Sequence, residues 1–261
     1  MSNNGSLVCV GLGMTLGSHI TPAALHQIKT ADIVFVAASN GIVEKWVESL
    51  NPNCESLQPL YSEDKPRKKT YKEMSNRMLA EVEKGKKVCG AFYGHPGVFA
   101  LSPRKAIAMA RNKGFSAYME PGISAEACLY ADLLLDPGSA GCQHYETSQF
   151  MYYSRKVDTA ALLVLWQVGL AGDINSEKFS TSGEKVGSLQ EQLTQLYSKE
   201  HEAIIYEAKV LPMDKGRKEI ITLGELKRAT LNMHSTLVVP PMTRLIDIKD
   251  KPLLNKQNND I

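Results

Sequence analysis

Short, uniformly apolar runs recur through the first half of the chain, and most of them lead into a turn rich in glycine or proline. Leu7-Val-Cys-Val10 is followed by Gly11-Leu-Gly13 and then Gly17. Val88-Cys-Gly-Ala-Phe-Tyr93 leads into Gly94-His-Pro-Gly97, and Ser116 to Met119 leads into Pro121-Gly122. Ile33-Val-Phe-Val36 completes a set of buried strands. Between them lie helical segments. Thr21-Pro22 pairs a capping hydroxyl with a proline at the first helical position. Ile42 to Leu50 and Tyr71 to Lys84 follow, the second closed by Gly85. Ser102-Pro103 opens a helix that runs to Gly114, and Ser124 to Asp132 forms another. Pro59 to Lys69 is polar and basic, so it reads as a loop or an exposed helix start. Strands alternating with helices predict an open parallel sheet with crossover helices.

The pattern breaks between Leu133 and Tyr145, where Asp136-Pro-Gly-Ser-Ala-Gly141 is the best linker in the chain. Beyond it the expected strands are Leu162 to Trp166, Ala203 to Ala208, Glu219 to Thr222 and Ser235 to Val239. Helices are expected near Ser188 to Lys199 and at Leu223 to Arg228. This half is richer in strands and poorer in glycine turns. The expected organisation is an N-terminal α/β domain over 1–134, a C-terminal mixed α+β domain over 135–241, and a polar tail over 242–261. The tail is expected to be mobile or to lie on a partner.

Composition narrows this picture. In 261 residues, 43% are hydrophobic and 22% charged, a globular mixture. A formal net charge of +2 is too small to argue for nucleic acid or a membrane surface as partner. Met1 to Ser6 lacks the positive start of a signal peptide, and no run approaches the roughly 20 apolar residues of a membrane span. The five cysteines (Cys9, Cys54, Cys89, Cys128 and Cys142) are scattered, and the six histidines form no H-E-x-x-H pair. A reduced, cytoplasmic protein without a metal site is expected.

The glycine turns carry the candidate chemistry. Gly11, Gly13 and Gly17 follow a strand and precede a helix, the setting in which backbone approaches a nucleotide-like ligand. The third glycine comes one residue late for G-x-G-x-x-G. Ala37-Ala-Ser-Asn40, at the end of the second strand, lacks the acid that a nicotinamide cofactor needs. The Gly94-His-Pro-Gly97 and Glu120-Pro-Gly-Ile-Ser-Ala125 loops also sit at strand ends, where open α/β sheets bind ligands. His95 alone reads equally well as a capping or core histidine. The three loops together are expected to converge on one crevice.

A glycine turn after the first strand, a G-x-P loop after a middle strand and P-G-[IV]-S-[AS] one unit later resemble the SAM-binding features of tetrapyrrole methylases. Most of that family carries aspartate where this chain has His95. Tyr93-Gly-His-Pro-Gly-Val-Phe99 and Ser235-Thr-Leu-Val-Val-Pro-Pro241 are more similar to the borosin peptide α-N-methyltransferases, and the resemblance runs from Leu7 to about Pro241. Tyr61, Arg67 and Tyr71 match a tyrosine–arginine–tyrosine spacing of those enzymes. On its own Arg67, among Lys65, Lys68 and Lys69, would read as part of a solvated basic face. The resemblance implies S-adenosyl-L-methionine (SAM) in the cleft between the two domains, with S-adenosyl-L-homocysteine as product. It implies cofactor contacts at Gly11, Gly13, Tyr93, His95, Val98, Phe99, Ser124, Ala125, Gln167, Ser235 and Thr236. It also implies catalytic roles for Tyr61, Arg67, Tyr71 and Tyr93.

The activity so implied is N-methylation of backbone amides in a ribosomally made precursor peptide. An amide nitrogen is a poor nucleophile because its lone pair is delocalised into the carbonyl. The protein must therefore supply a base, an oxyanion partner and dry positioning. Tyr71 or Tyr61 is the expected base, with Arg67 pulling the phenol below its usual value of about 10 or holding the amide oxygen. The short, charged tail has no apolar core-peptide run, so a separate precursor bound in trans, as in the split bacterial arrangement, is expected. A homodimer is expected too, forming a hetero-oligomer with the precursor. Three alternatives stay open: methylation of a porphyrinoid or other small molecule, a non-catalytic SAM- or nucleotide-binding regulatory module, and a nicotinamide oxidoreductase.

Overall fold

The computed structural model describes residues 5–63, 65–174, 178 and 180–247. Its first sheet is fully parallel, with order β3-β2-β4-β1-β5. The strands are β1 (Ser6–Gly11), β2 (Ile33–Ala37), β3 (Cys54–Ser56), β4 (Lys87–Phe92) and β5 (Ser116–Met119). Period-two alternation sends their side chains to two separate cores. Leu7 and Cys9 pack with Met74, Met78 and Ile107 of α3 (Arg67–Glu83) and α4 (Ser102–Asn112). Val8 and Val10 pack with Ala24, Ile28, Val43 and Val47 of α1 (Pro22–Thr30) and α2 (Gly41–Leu50). Burial on both faces explains why these strands read as continuous apolar runs.

The second sheet is mixed, with order β6-β7-β10-β8-β9. It comprises β6 (Cys142–Glu146), β7 (Leu162–Trp166), β8 (Glu202–Glu207), β9 (Arg217–Thr222) and β10 (Thr236–Val239). Only the β6–β7 pair is parallel. On one face, Leu163 and Leu165 meet Phe150 of α6 (Thr147–Tyr152) and Val186, Leu189 and Leu193 of α7 (Gly183–Thr194). On the other face, Leu162, Val164 and Trp166 meet Leu129 of α5 (Ala125–Leu133). Thus α5 directly follows the parallel sheet in sequence but covers the mixed one. It ends at Leu134 in the left-handed conformation (φ 54°).

Several expectations shift. Helix α3 begins one turn early, at Arg67 rather than Tyr71, because Pro66 holds the N-cap position. Helix α7 starts at Gly183 and stops at Thr194, set by the Ser182 hydroxyl that accepts from the Lys185 amide. Leu223–Arg228 is a 3-10 helix with a Thr222/Glu225 capping box. Strands β3 and β6 and helix α6 were not expected. The first residues of the tail are tied down, with Met242 and Thr243 both donating to the Thr159 carbonyl. Residues 248–261 lie outside the described residues. All five cysteines are free thiols. Among the described residues, no helix is long and apolar enough to cross a membrane, and no three His, Cys, Asp or Glu side chains are placed to hold a metal ion.

Candidate active site

The three glycine turns do meet. Gly13 and Gly94 exchange backbone hydrogen bonds of 3.2 and 2.9 Å. A Cβ on Gly11 would stand 2.5 Å from the Gly94 carbonyl oxygen and 2.7 Å from the Gly122 Cα. A Cβ on Gly122 would stand 2.5 Å from the same Gly94 oxygen and 2.7 Å from the Gly11 Cα. Bare backbone packed on bare backbone is therefore the reason for glycine at these positions. Gly11 and Gly13 form the support beneath the loops and do not themselves line the space above.

Above this floor, between the two sheets, opens a cavity of ≈ 520 Å³, within the range that holds a cofactor-sized ligand. The first sheet's loops bring Tyr93, His95, Val98, Phe99, Ser124 and Ala125 to its wall. The second sheet brings Gln167 and Thr236. Ser124 also caps α5, its hydroxyl accepting from the Ala127 amide. Two wall residues hold left-handed backbone without being glycine, Phe99 at φ 49° and Gln167 at φ 59°. Such strain persists where the surrounding structure enforces it, and it concentrates at ligand-binding sites.

Ser235 differs from its expected role. It is fully buried, and its hydroxyl donates to Glu207 Oε1 at 2.6 Å. The same carboxylate oxygen accepts from Asn232 Nδ2 (2.9 Å) and Arg217 Nη1 (3.0 Å). Burial alone would raise the Glu207 carboxyl, but these three donors hold it below the usual range. Ser235 thus shapes the wall through Glu207, which does line the cavity.

Tyr61, Tyr71 and Tyr93 line the cavity as well. The Tyr61 and Tyr71 rings meet edge to face, centroids 6.4 Å apart. Arg67 is not on the exposed basic face: it is 7% exposed, with its guanidinium 5.2 Å above the Tyr61 ring and donating to the Lys178 carbonyl. The expected lowering of the phenol is overturned at Tyr61. Burial pushes it far above the ordinary tyrosine value, Tyr71 and Tyr93 add to the push, and Arg67 opposes without prevailing. Burial raises Tyr93 too. The residue is 46% exposed and faces the cavity it lines.

Sequence reasoning missed Met14, Ser39, Glu126, Trp166 and Glu207, and the segment from Lys209 to Arg217 that forms another side of the cavity. That segment is docked onto the loop after β1 by Leu16 N to Val210 O at 2.9 Å and Thr15 Oγ1 to Lys209 O at 3.3 Å. Its mixed sequence, Lys-Val-Leu-Pro-Met-Asp-Lys-Gly-Arg, carries no motif that would have singled it out.

A parallel and a mixed sheet sharing one cavity define a two-domain α/β class that solved structures contain. Uroporphyrin-III C-methyltransferase from Thermus thermophilus superimposes with a TM-score of 0.66 at 19% identity, covering 91% of this chain and 93% of that one. A cobalt precorrin-4 methyltransferase does so with a TM-score of 0.66 at 13% identity, covering 92% and 96%. The chain belongs to the tetrapyrrole (corrin/porphyrin) methylase family, whose model matches residues 6–226. Among its relatives is a fungal protein of Coprinopsis marcescibilis described as a methyltransferase and ribosomally synthesized type I borosin cyclic peptide precursor. It is 41% identical over 91% of this chain and 62% of its own length. The omphalotin A methyltransferase and precursor of Omphalotus olearius is 38% identical over 92% of this chain and 58% of its own length. This chain therefore spans about three-fifths of the length of these two fungal relatives.

The residues present fit SAM. Apolar and aromatic wall positions (Val98, Phe99, Trp166) alternate with a few polar groups (His95, Ser124, Gln167, Thr236) over a backbone floor. That donor set suits a ligand with a flat base, a ribose and an amino-acid end.

Proposed function

We propose that this chain is a SAM-dependent methyltransferase that N-methylates backbone amides of a ribosomally made precursor peptide, presented as a separate chain. The observation that carries the reading is the continuity of one cavity from the glycine-turn loops to the Tyr61, Tyr71 and Tyr93 phenols, with Arg67 stacked behind. The relatedness to fungal methyltransferase–precursor proteins supports the substrate class. In this reading the working boundary between the two domains lies near residue 134, and two copies of the chain enclose the peptide.

SAM, when bound, supplies a methyl group on a positively charged sulfur. His95, Val98, Phe99, Ser124, Ala125, Gln167 and Thr236 hold it. Tyr61 and Tyr93, whose phenols burial raises, keep their protons and can serve as hydrogen-bond donors. Aimed at the amide oxygen, such donors stabilise the imidate form in which the nitrogen becomes nucleophilic. Tyr71 is then the residue assigned to accept the amide proton, a step that requires its oxygen to react as the phenolate and leaves it a neutral phenol. Arg67 acts through Tyr61, fixing the ring it covers.

Intact-mass analysis after incubation with SAM and a candidate precursor tests this reading. Additions of about 14 Da that fragment onto backbone nitrogens of the added peptide support it. Additions on the enzyme chain itself would remove the separate-chain assignment. An unmodified peptide, with a porphyrinoid methylated instead, would remove the peptide reading. Light scattering at micromolar concentration tests the dimer, which a strict monomer would exclude.

A further inference from the structure

Behind the cavity wall, four side chains form a hydrogen-bonded chain that the reaction described above does not use. Trp166 Nε1–H donates to His144 Nδ1 at 3.0 Å. The indole N–H has no acceptor capacity, so His144 Nδ1 must carry no proton. The neutral imidazole is then protonated on Nε2, which lies 2.8 Å from the Tyr130 hydroxyl. Tyr130 in turn donates to Glu126 Oε1 at 3.1 Å. The Cys142 sulfur offers a second acceptor to His144 Nε2–H (3.0 Å) and to the Tyr130 hydroxyl (3.7 Å), but the indole N–H fixes the direction of the series, because a proton on Nδ1 would face it. The Trp166 and His144 ring planes lie within 12° of one another, which is compatible with an in-plane N–H···N bond.

Both ends of this series reach the cavity, at Trp166 and at Glu126. The Trp166 ring also meets that of Phe99, centroids 5.6 Å apart and planes inclined by 47°. Phe99 belongs to the loop after β4, and its backbone is one of the strained left-handed positions. The Trp166–Phe99 contact therefore joins the two sheets' contributions to the wall, and its placement depends on a residue that does not itself line the cavity.

We propose that His144 is a positioning residue for the cavity: in its Nε2-protonated neutral form it fixes the Trp166 indole against Phe99 and ties it through Tyr130 to Glu126. As a consequence, protonating His144 breaks the wall. A proton on Nδ1 faces the indole N–H, and Trp166 loses its anchor. The titratable groups in contact with His144 are Glu126 and Tyr130 from α5 and Cys142 from its own strand, with the Cys142 sulfur 3.0 Å from Nε2. Burial lowers His144 from its ordinary value and Glu126 opposes. The anchored state therefore persists through the ordinary histidine range and is lost only as pH falls through the lowered value.

The inference rests on the methyltransferase reading only for its ligand, and the test separates the two. The chain has two tryptophans, Trp46 and Trp166, so Trp46→Phe leaves Trp166 as the sole indole reporter. Its emission should fall on acidification with a midpoint below the usual histidine value, and His144→Asn should abolish that step. SAM affinity, read by calorimetry at neutral pH, should weaken about tenfold in His144→Ala, the scale of one buried hydrogen bond. It should recover in His144→Asn, whose amide oxygen can still accept from the indole. Trp166→Phe, which keeps a ring but no donor, should weaken binding to a similar degree, and adding His144→Ala to it should cost nothing further. Emission that does not titrate, or an Asn variant no better than Ala, overturns the proposal. A wild-type chain whose emission titrates but which binds no SAM overturns the cofactor reading and leaves the His144–Trp166 anchor standing.

Discussion

The floor and the wall of the cavity are built on opposite principles. The floor is main chain against main chain: Gly11, Gly94 and Gly122 approach so closely that no Cβ fits at Gly11 or Gly122. The wall is side chain against side chain: Arg67 over Tyr61, Ser235 on Glu207, Trp166 on His144. Close backbone contact is all-or-none, because a clash between fixed atoms has no rotamer to escape into. Side-chain contacts are graded and can be altered one at a time. The contrast teaches that the two can be perturbed differently by mutation, since the floor should answer chiefly in folding, and the wall in smaller stability losses together with function.

The largest effect should come from Gly11→Ala, whose new methyl group would lie 2.5 Å from a carbonyl oxygen. A loss on the order of 3 kcal/mol or more is expected, read as a lowered urea midpoint or failure to fold. A variant that melts normally would show that the floor can give. Next comes Arg67→Ala, which removes a buried cation from the face of Tyr61 and should cost about 2 kcal/mol. Turnover should be abolished while SAM binding stays intact, and unchanged turnover would remove Arg67 from the mechanism.

Ser235→Ala is a smaller perturbation. It deletes one donor to Glu207 and the acceptor of the Asn232 amide, at about 1–2 kcal/mol. The Glu207 carboxyl is held low in the folded state. Its contribution is therefore present above the unfolded carboxylate value and is lost as pH falls through the folded one. In the variant this acid limb should move to higher pH in a pH series of thermal melts. Thr21→Ala sets the lower end, because the hydroxyl only caps α1 by accepting from the Ala24 amide. About 1 kcal/mol of stability should go, with binding and turnover unchanged.

The same division decides what the sequence made legible. Strands β1, β2 and β4, buried on both faces, announce themselves as apolar runs, and the glycine turns that follow β1 and β4 locate the floor. Strand β3 is three residues long, and β6 reads Cys-Gln-His-Tyr-Glu. Both lie at sheet edges, where half-buried polar residues give no hydrophobic signal. Tyr61, Arg67 and Tyr71 came from resemblance, since their own neighbourhood of lysines argues for a solvated face. Trp166 read only as the end of an apolar strand, and His144 as nothing at all. Their meaning lies in a pairing across 22 residues. Glu207 likewise takes its role from Ser235, 28 positions away.

The position of β10 in its sheet has a consequence for how the chain acquires its shape. It is the last described strand in sequence, yet it sits in the middle of the mixed sheet, between β7 and β8. The parallel sheet has all its strands by Met119, so during synthesis it can assemble while the rest is still being made. The mixed sheet must wait with β7 and β8 unpaired along the edges that β10 will fill, a long-range closure of the slow and aggregation-exposed kind. Thr236 arrives on that same strand. The cavity therefore comes into being in one late step, and a nascent chain halted before residue 236 would hold a finished floor with no far wall.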